Sequence, residues 1–270
     1  MEKKLNKIGL ALSGGAARGY SQIPVIQKII DEKIKINMIS GSSAGALIGA
    51  YFALYGEIDS LVVRLEKIKL TEWLKLIDLN NPKKSLIKGI KIKQFLEKEF
   101  FQDKRFSDTK IKLIIVATDI KNNEPVYFTS GKIIDALMPS ISIPGVLPLT
   151  NYKNKYLTDG QISEHLPVAI LEKKGMTKII GIDVIKNIKI DINEIKDSSI
   201  NLLLSIFYRS LITSQIIENK NIFIFAPEFK KSDTKIGNNL RFDKIKANFL
   251  PGEKVVEKEW TNFKKWLETK

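Results

Sequence analysis

Asn37-Met38-Ile39-Ser40-Gly41-Ser42-Ser43-Ala44-Gly45-Ala46-Leu47-Ile48-Gly49-Ala50-Tyr51 is the stretch on which the fold turns. An apolar run ending near Ile39 meets a cluster of small residues. Ala46, Leu47, Ala50 and Leu54 then recur at helical spacing. A strand that reverses sharply into a helix forces its turn residue into a strained conformation, and the residues beside it must be glycine or nearly as small. Gly41 and Gly45 meet that need around Ser43. The expected result is an elbow that lifts the Ser43 hydroxyl to its exposed tip and aims backbone N–H groups of the helix start at any negative charge beside it. With 16 Gly and 18 Ser in 270 residues, a random chain of this composition would hold roughly 0.06 G-x-S-x-G matches, so chance is a poor explanation.

On the N-terminal side, Lys7 to Leu12 reads as a short buried strand running into Ser13-Gly14-Gly15-Ala16-Ala17-Arg18-Gly19. Ile23, Val25, Ile26, Ile29 and Ile30 follow as a helical apolar face. A strand, a Gly-rich turn and a helix suggest a cradle for an oxyanion or a phosphate. No Gly-Lys-Ser/Thr follows, which excludes a Walker A loop, and the leading G-x-G of a dinucleotide site is missing.

On the C-terminal side, residues 58–105 read as basic amphipathic helices interrupted at Asn80-Asn81-Pro82, a candidate cap or lid. Most apolar residues there, Trp73, Leu74, Ile77 and Leu79 among them, are expected to pack on the core. Lys112 to Thr118 is a β-branched run suited to a strand buried on both faces, and Pro125 to Thr129 is a shorter strand able to pair with it. Lys132 to Met138 is a brief helix. Residues 139–149, with three prolines among apolar residues, form a stiff loop suited to lining an acyl-chain channel. Tyr156 to Gly160 ends a strand on a carboxylate, and a helix runs from Leu166 to Lys174. Strands at 177–184 and 222–226, a long helix over 198–219 and a closing helix with Val256, Trp260, Phe263 and Leu267 complete the pattern. Alternating strands and helices predict one α/β domain over residues 1–270 with a mainly parallel sheet.

The chain has no Cys and one His, His165, so disulfides, a cysteine nucleophile and a thiolate or histidine-rich metal site are excluded, and no metal or cofactor is expected. No apolar run approaches the length needed to span a bilayer, and the five apolar residues after Lys7 are too few for a secretory core. A cytoplasmic location, peripheral at the inner membrane surface, is the expectation. Net charge is +14, and residues 60–112 carry 14 Lys/Arg against 7 Asp/Glu. Such a field favours anionic partners. No zinc-finger spacing, single-strand-binding motif or basic tail supports nucleic acid, which leaves anionic membranes or a Lys-rich proteome bias as explanations.

Acyl transfer needs an activated nucleophile, a base and a preformed home for the oxyanion. Ser43 supplies the first. A triad would have to use His165, yet nothing in the pattern aims that residue at Ser43, and a structural hydrogen bond is its expected role. Asp159 lies at a strand end, where open α/β sheets place their ligands, and can take the serine proton directly.

Four segments in order then resemble the motifs of patatin-like phospholipases, most closely the small bacterial members: Ser13 to Gly19, Gly41-Ser42-Ser43-Ala44-Gly45, Ser142 to Pro148, and Asp159-Gly160 with Leu166-Pro167-Val168. The resemblance covers roughly residues 5–186. It implies a three-layer αβα sandwich, a Ser43–Asp159 dyad, an oxyanion hole from the backbone of Gly14, Gly15 and Ala16 held by Arg18, and metal-free hydrolysis of acyl esters of phospholipids or lysophospholipids. The sequence departs from the family at Ser13 and Ala16, where glycine is usual and tolerable to replace only if φ stays negative. Gln161 stands where a small residue is common, and His165 where asparagine is usual. Two other functions fit the same scaffold. An acyltransferase would carry His before the nucleophile, where this chain has Ser42. A vestigial lipid-binding protein would not need both Ser43 and Asp159.

Overall fold

A computed structural model of the chain describes residues 6–81, 83–187, 218–230 and 242–269. An eight-stranded sheet forms its centre. Five strands run parallel in the order β3 (Lys112–Asp119), β2 (Met38–Ser42), β1 (Ile8–Leu12), β7 (Lys178–Ile182) and β8 (Ile222–Phe225). Three antiparallel strands extend it beyond β3: β4 (Glu124–Phe128), β5 (Thr150–Tyr152) and β6 (Lys155–Asp159). The sequence pattern does not single out β5, whose three residues are too few to show a period.

Apolar residues line both faces of the parallel strands, and successive positions sort into two cores, as the pleat requires. Leu10, Leu12, Ile39, Leu113, Ile115, Ile180, Ile182 and Phe225 belong to the larger core. It packs beneath α1 (Gln22–Asp31), α2 (Ala44–Tyr55), α6 (Ile133–Ser140) and the closing helix α9 (Ile245–Glu268). Ala11, Met38, Ile114, Ile179, Ile222 and Ile224 face the other way, against Leu166, Val168 and the short α8 (Ala169–Lys173). The result is the layered α/β arrangement expected from the alternation. The predicted helix over 198–219 lies, but for its last two residues, outside the described residues.

One register detail sets the site. Ile115 and Val116 pair with both β2 and β4, while Ala117 to Asp119 pair with both β4 and β6. A strand has only two edges, so β4 occupies one and β2 and β6 share the other, meeting end to end. Ser42, the last residue of β2, lies opposite Val116, and Asp159, the last of β6, lies opposite Ala117. Adjacent positions on β3 thus bring together segments 116 positions apart in sequence.

The region read as a helical cap is helical only in part. α3 (Asp59–Lys67), α4 (Leu70–Lys75) and α5 (Ile90–Leu96) flank a non-helical stretch in which Leu79 bridges to Ile87. The expectation that its apolar residues are mostly core holds for Trp73, which stacks on Phe242 and packs on Phe95. It fails for Leu74, which lies on α4 but does not share the inward side taken by Trp73, and for Ile77 and Leu79, which follow the end of that helix; all three are exposed.

Candidate active site

The elbow forms as its glycines demand. Ser43 adopts φ 52° and ψ −123° between β2 and α2, a conformation that costs of order 1–3 kcal/mol and persists only where the surroundings enforce it. A Cβ on Gly45 would lie 2.4 Å from the Leu12 carbonyl oxygen, and one on Gly41 2.6 Å from the Gly45 carbonyl oxygen. Both contacts are with backbone, so neither can relax, and α2 can begin this close to β1 only without those side chains.

The Ser43 hydroxyl donates to Asp159 Oδ2 at 2.8 Å. The other carboxylate oxygen, Oδ1, accepts the Gln161 amide at 2.9 Å. Asp159 is wholly buried, and that burial pushes its carboxyl up to about 7, against the opposing hydrogen bonds from Gln161 and Ser43. A carboxylate held there exchanges its proton near neutrality, as a general base must. Ser43 itself is only 4% exposed. The expected exposed tip is therefore a covered one: the elbow is enclosed by the Gly-rich loop, α6 and the end of β6.

Hydroxyl groups that carry no pattern in the sequence build the frame. Ser140 Oγ accepts the Ser43 backbone amide at 3.0 Å, and the Ser140 carbonyl accepts the Gly160 amide at 3.3 Å. The Ser142 carbonyl takes both the Asp159 amide (3.0 Å) and the Thr158 hydroxyl (2.8 Å), while the Thr118 hydroxyl donates to the Asp159 carbonyl at 2.8 Å. The Pro-rich stretch expected to line a channel thus begins by bracing the elbow against β6. Two described cavities lie elsewhere. One of about 340 Å³ opens beside Asp119, Lys153 and Lys155, and one of about 510 Å³ lies between α1, α3 and α9. Neither includes Ser43 or Asp159, so catalytic geometry, not cavity size, marks the site.

The Gly-rich loop packs on residues next to both Ser43 and Asp159. The loop's Leu12 and Ser13 carbonyls touch Gly45, and Gly14 packs so closely on the Gln161 side chain that a Cβ would meet Gln161 Oε1 at 1.8 Å. Among the described residues the backbone amides of Gly14, Gly15 and Ala16 have no hydrogen-bond acceptor. Three adjacent amides without acceptors in a largely buried loop are donors still open to a ligand. Arg18 is buried beneath, its amide bonded to the Gly15 carbonyl at 3.1 Å and its guanidinium 5.8 Å from the Phe229 ring centre. Ser13 keeps a negative φ and ties the loop to the sheet, its Oγ accepting the Val184 amide at 3.0 Å. Ala16 departs from expectation. It has φ 50°, the left-handed region, so alanine here is a strained substitute for glycine.

His165 pairs with a different carboxylate. Its Nε2 lies 3.0 Å from Asp183 Oδ2, and both side chains are buried. Asp183 Oδ1 accepts the Ile185 and Lys186 amides. The pair links the segment after β6 to the end of β7.

Comparison with known proteins places this stretch of the chain in a family. A sequence model described as patatin-like phospholipase matches residues 10–172, a span that contains the Gly-rich loop, the elbow and Asp159. The chain belongs to the patatin-like phospholipase family. It is 31% identical over 180 residues to lysophospholipase NTE1 of Debaryomyces hansenii, an alignment covering 66% of this chain and 12% of that protein. It is 32% identical over 184 residues to neuropathy target esterase sws of Drosophila melanogaster, covering 66% and 13% respectively. The chain therefore spans only about an eighth of the length of these relatives. The crystal structure of VipD from Legionella pneumophila aligns at 13% identity with a TM-score of 0.45, covering 94% of this chain and 67% of that one.

Proposed function

We propose that this member of the family is a serine acyl-ester hydrolase acting on phospholipids or lysophospholipids. The observation that carries the proposal is the buried 2.8 Å hydrogen bond from Ser43 Oγ to Asp159 Oδ2. The named activity of the yeast relative, lysophospholipase, supports the substrate class.

In the proposed reaction, Asp159 takes the Ser43 hydroxyl proton as Oγ bonds to the ester carbonyl carbon. The carbonyl oxygen becomes an oxyanion held by the amides of Gly14, Gly15 and Ala16, and the positive end of α2 adds to that field. As the carbonyl reforms, the ester C–O bond breaks, and the leaving alcohol or lysolipid takes the proton back from Asp159. Water then gives a proton to the same carboxylate and attacks the acyl-enzyme. The fatty acid leaves as the proton returns to Ser43. No histidine enters the scheme, in keeping with the His165–Asp183 pair.

Purified protein incubated with a panel of phospholipids and lysophospholipids, with products read by mass spectrometry, tests the proposal. Free fatty acid from the parent and a fall of about 10³-fold or more in Ser43→Ala are expected. Equal turnover by Ser43→Ala would reject the assignment. Added alcohol acceptor separates hydrolysis from transacylation, because a transacylase yields a new ester in place of free acid.

A further inference from the structure

Residues 73–93 invert the usual partition of side chains. Leu74, Leu79 and Ile90 are 55%, 76% and 56% exposed, and Ile77 and Leu86 are exposed beside them. These positions are local neighbours. The Leu79–Ile87 bridge, the Asn80 amide on the Leu86 carbonyl (3.0 Å) and the Lys88 amide on the Asp78 carbonyl (2.8 Å) bring residues 78–80 and 86–88 side by side as the arms of a narrow loop. Its tip carries exposed Lys83 and Lys84, and exposed Lys75, Lys88 and Lys91 surround its base. Asp78 is the only acid in this segment, and its carboxylate is engaged by the Gly89 and Lys91 amides at 2.8 and 3.1 Å.

We infer that this two-armed loop, with the end of α4, is a docking surface for anionic lipid. Its exposed aliphatic side chains enter the interface while the lysine collar engages headgroups. The charge decides among occupants. A second copy of the chain would set one lysine collar against another, since each copy carries +14. A nucleic acid would gain nothing from exposed leucines and isoleucines, for single strands stack on aromatic rings, and Trp73 is turned inward onto Phe95 and Phe242. Aliphatic side chains ringed by lysine match a membrane surface of negative potential. The loop also adjoins the site. The Leu86 and Ile87 amides bond the Gly145 and Val146 carbonyls at 2.9 and 3.1 Å, three residues beyond the Ser142 carbonyl that holds Asp159. Docking there brings a bilayer beside the covered nucleophile.

The test uses the full chain carrying Ser43→Ala, so that vesicles stay intact and the outcome is independent of the hydrolytic proposal. It is sedimented with phosphatidylcholine vesicles with and without about one-third phosphatidylglycerol. Binding to the anionic vesicles that weakens with salt is expected. Adding Leu79→Asp with Leu86→Asp should reduce partition by about tenfold or more at an unchanged melting temperature. Lys83→Glu with Lys84→Glu, which alters only exposed side chains, should weaken binding to anionic vesicles specifically, and it decides the matter if the aspartate pair unfolds the chain. Absence of vesicle binding would overturn the inference, as would binding indifferent to both pairs of changes. So would a dimer that the aspartate pair dissociates, because a second copy would then be what covers the surface.

Discussion

The elbow and the two-armed loop are opposite uses of the same amino acids. At the elbow, Ser13, Ser42, Ser43, Thr118, Ser140, Ser142, Thr158 and Asp159 are buried, and nearly every polar atom meets a partner. In the loop, leucine and isoleucine face solvent, and α4 turns only Trp73 inward. A chain tuned only for stability would hide its apolar groups and solvate its polar ones. Polar groups locked inside suit the proposed nucleophile and base, which need one geometry and no solvent reorganisation at the moment of reaction. Apolar groups left outside have no cover among the described residues, which is what the proposed docking would use.

That contrast predicts steep losses for changes at the elbow. Asp159→Asn is expected to lower hydrolysis about 10³-fold. It should also remove a pH signature. The carboxyl is raised from 3.8 to about 7 by burial, so the folded chain keeps a proton that the unfolded chain has lost. The stability this contributes is complete below 3.8 and gone once pH passes about 7, while kcat/KM rises through that same upper value as the base ionises. Thermal melts and rate profiles across this range should move in opposite directions for the parent, and Asp159→Asn should flatten the stability trend.

Gly45→Ala comes next. It drives a methyl group into the Leu12 and Ser13 carbonyls and should cost about 2–4 kcal/mol in denaturant unfolding, whereas Leu79→Ser on the loop should change stability by less than about 0.5 kcal/mol. Ser140→Ala leaves the Ser43 amide without its acceptor. A loss of about 1–2 kcal/mol and a fall in kcat of roughly tenfold to a hundredfold are expected, with KM little changed. His165→Ala sharpens the division between framework and chemistry. It should destabilise by about 2 kcal/mol yet leave turnover of a soluble ester within about twofold, and a collapse of turnover in folded protein would restore histidine to the mechanism. The smallest effect belongs to Ala16→Gly, which relieves a left-handed φ and should raise stability by at most about 1 kcal/mol.

Much of the framework was legible in the letters because period and punctuation carry it. The β-branched run at 112–118, the helical spacing after Ala44 and the glycines at 41 and 45 state a strand, a helix and the turn between them. The approach of Ser43 to Asp159 could be expected from a carboxylate at a strand end, but its cause could not. That cause is the register that makes β2 and β6 share one edge of β3, a property of pairing that no local window holds. Ser140 and Thr118 carry no signal for a similar reason, since a hydroxyl that braces a distant backbone looks like any other, and Ser142 opens the third motif without revealing that its carbonyl holds Asp159. Gln161 was noted as a departure without its consequence, which is the close packing of its side chain on Gly14. The exposure of Leu74, Ile77 and Leu79 is not legible in the letters, because a helical apolar stripe normally implies a face to bury, whereas α4 turns Trp73 inward and ends before Ile77 and Leu79.

The most direct measurement of the central claim, that Asp159 activates Ser43, is labelling by a serine-directed fluorophosphonate, read by intact and peptide mass spectrometry on folded parent, Ser43→Ala and Asp159→Asn proteins. The account predicts one adduct, on Ser43, in the parent, none in Ser43→Ala, and a rate reduced at least about a hundredfold in Asp159→Asn. An adduct on another residue, or labelling of Asp159→Asn at the parent's rate, would contradict it.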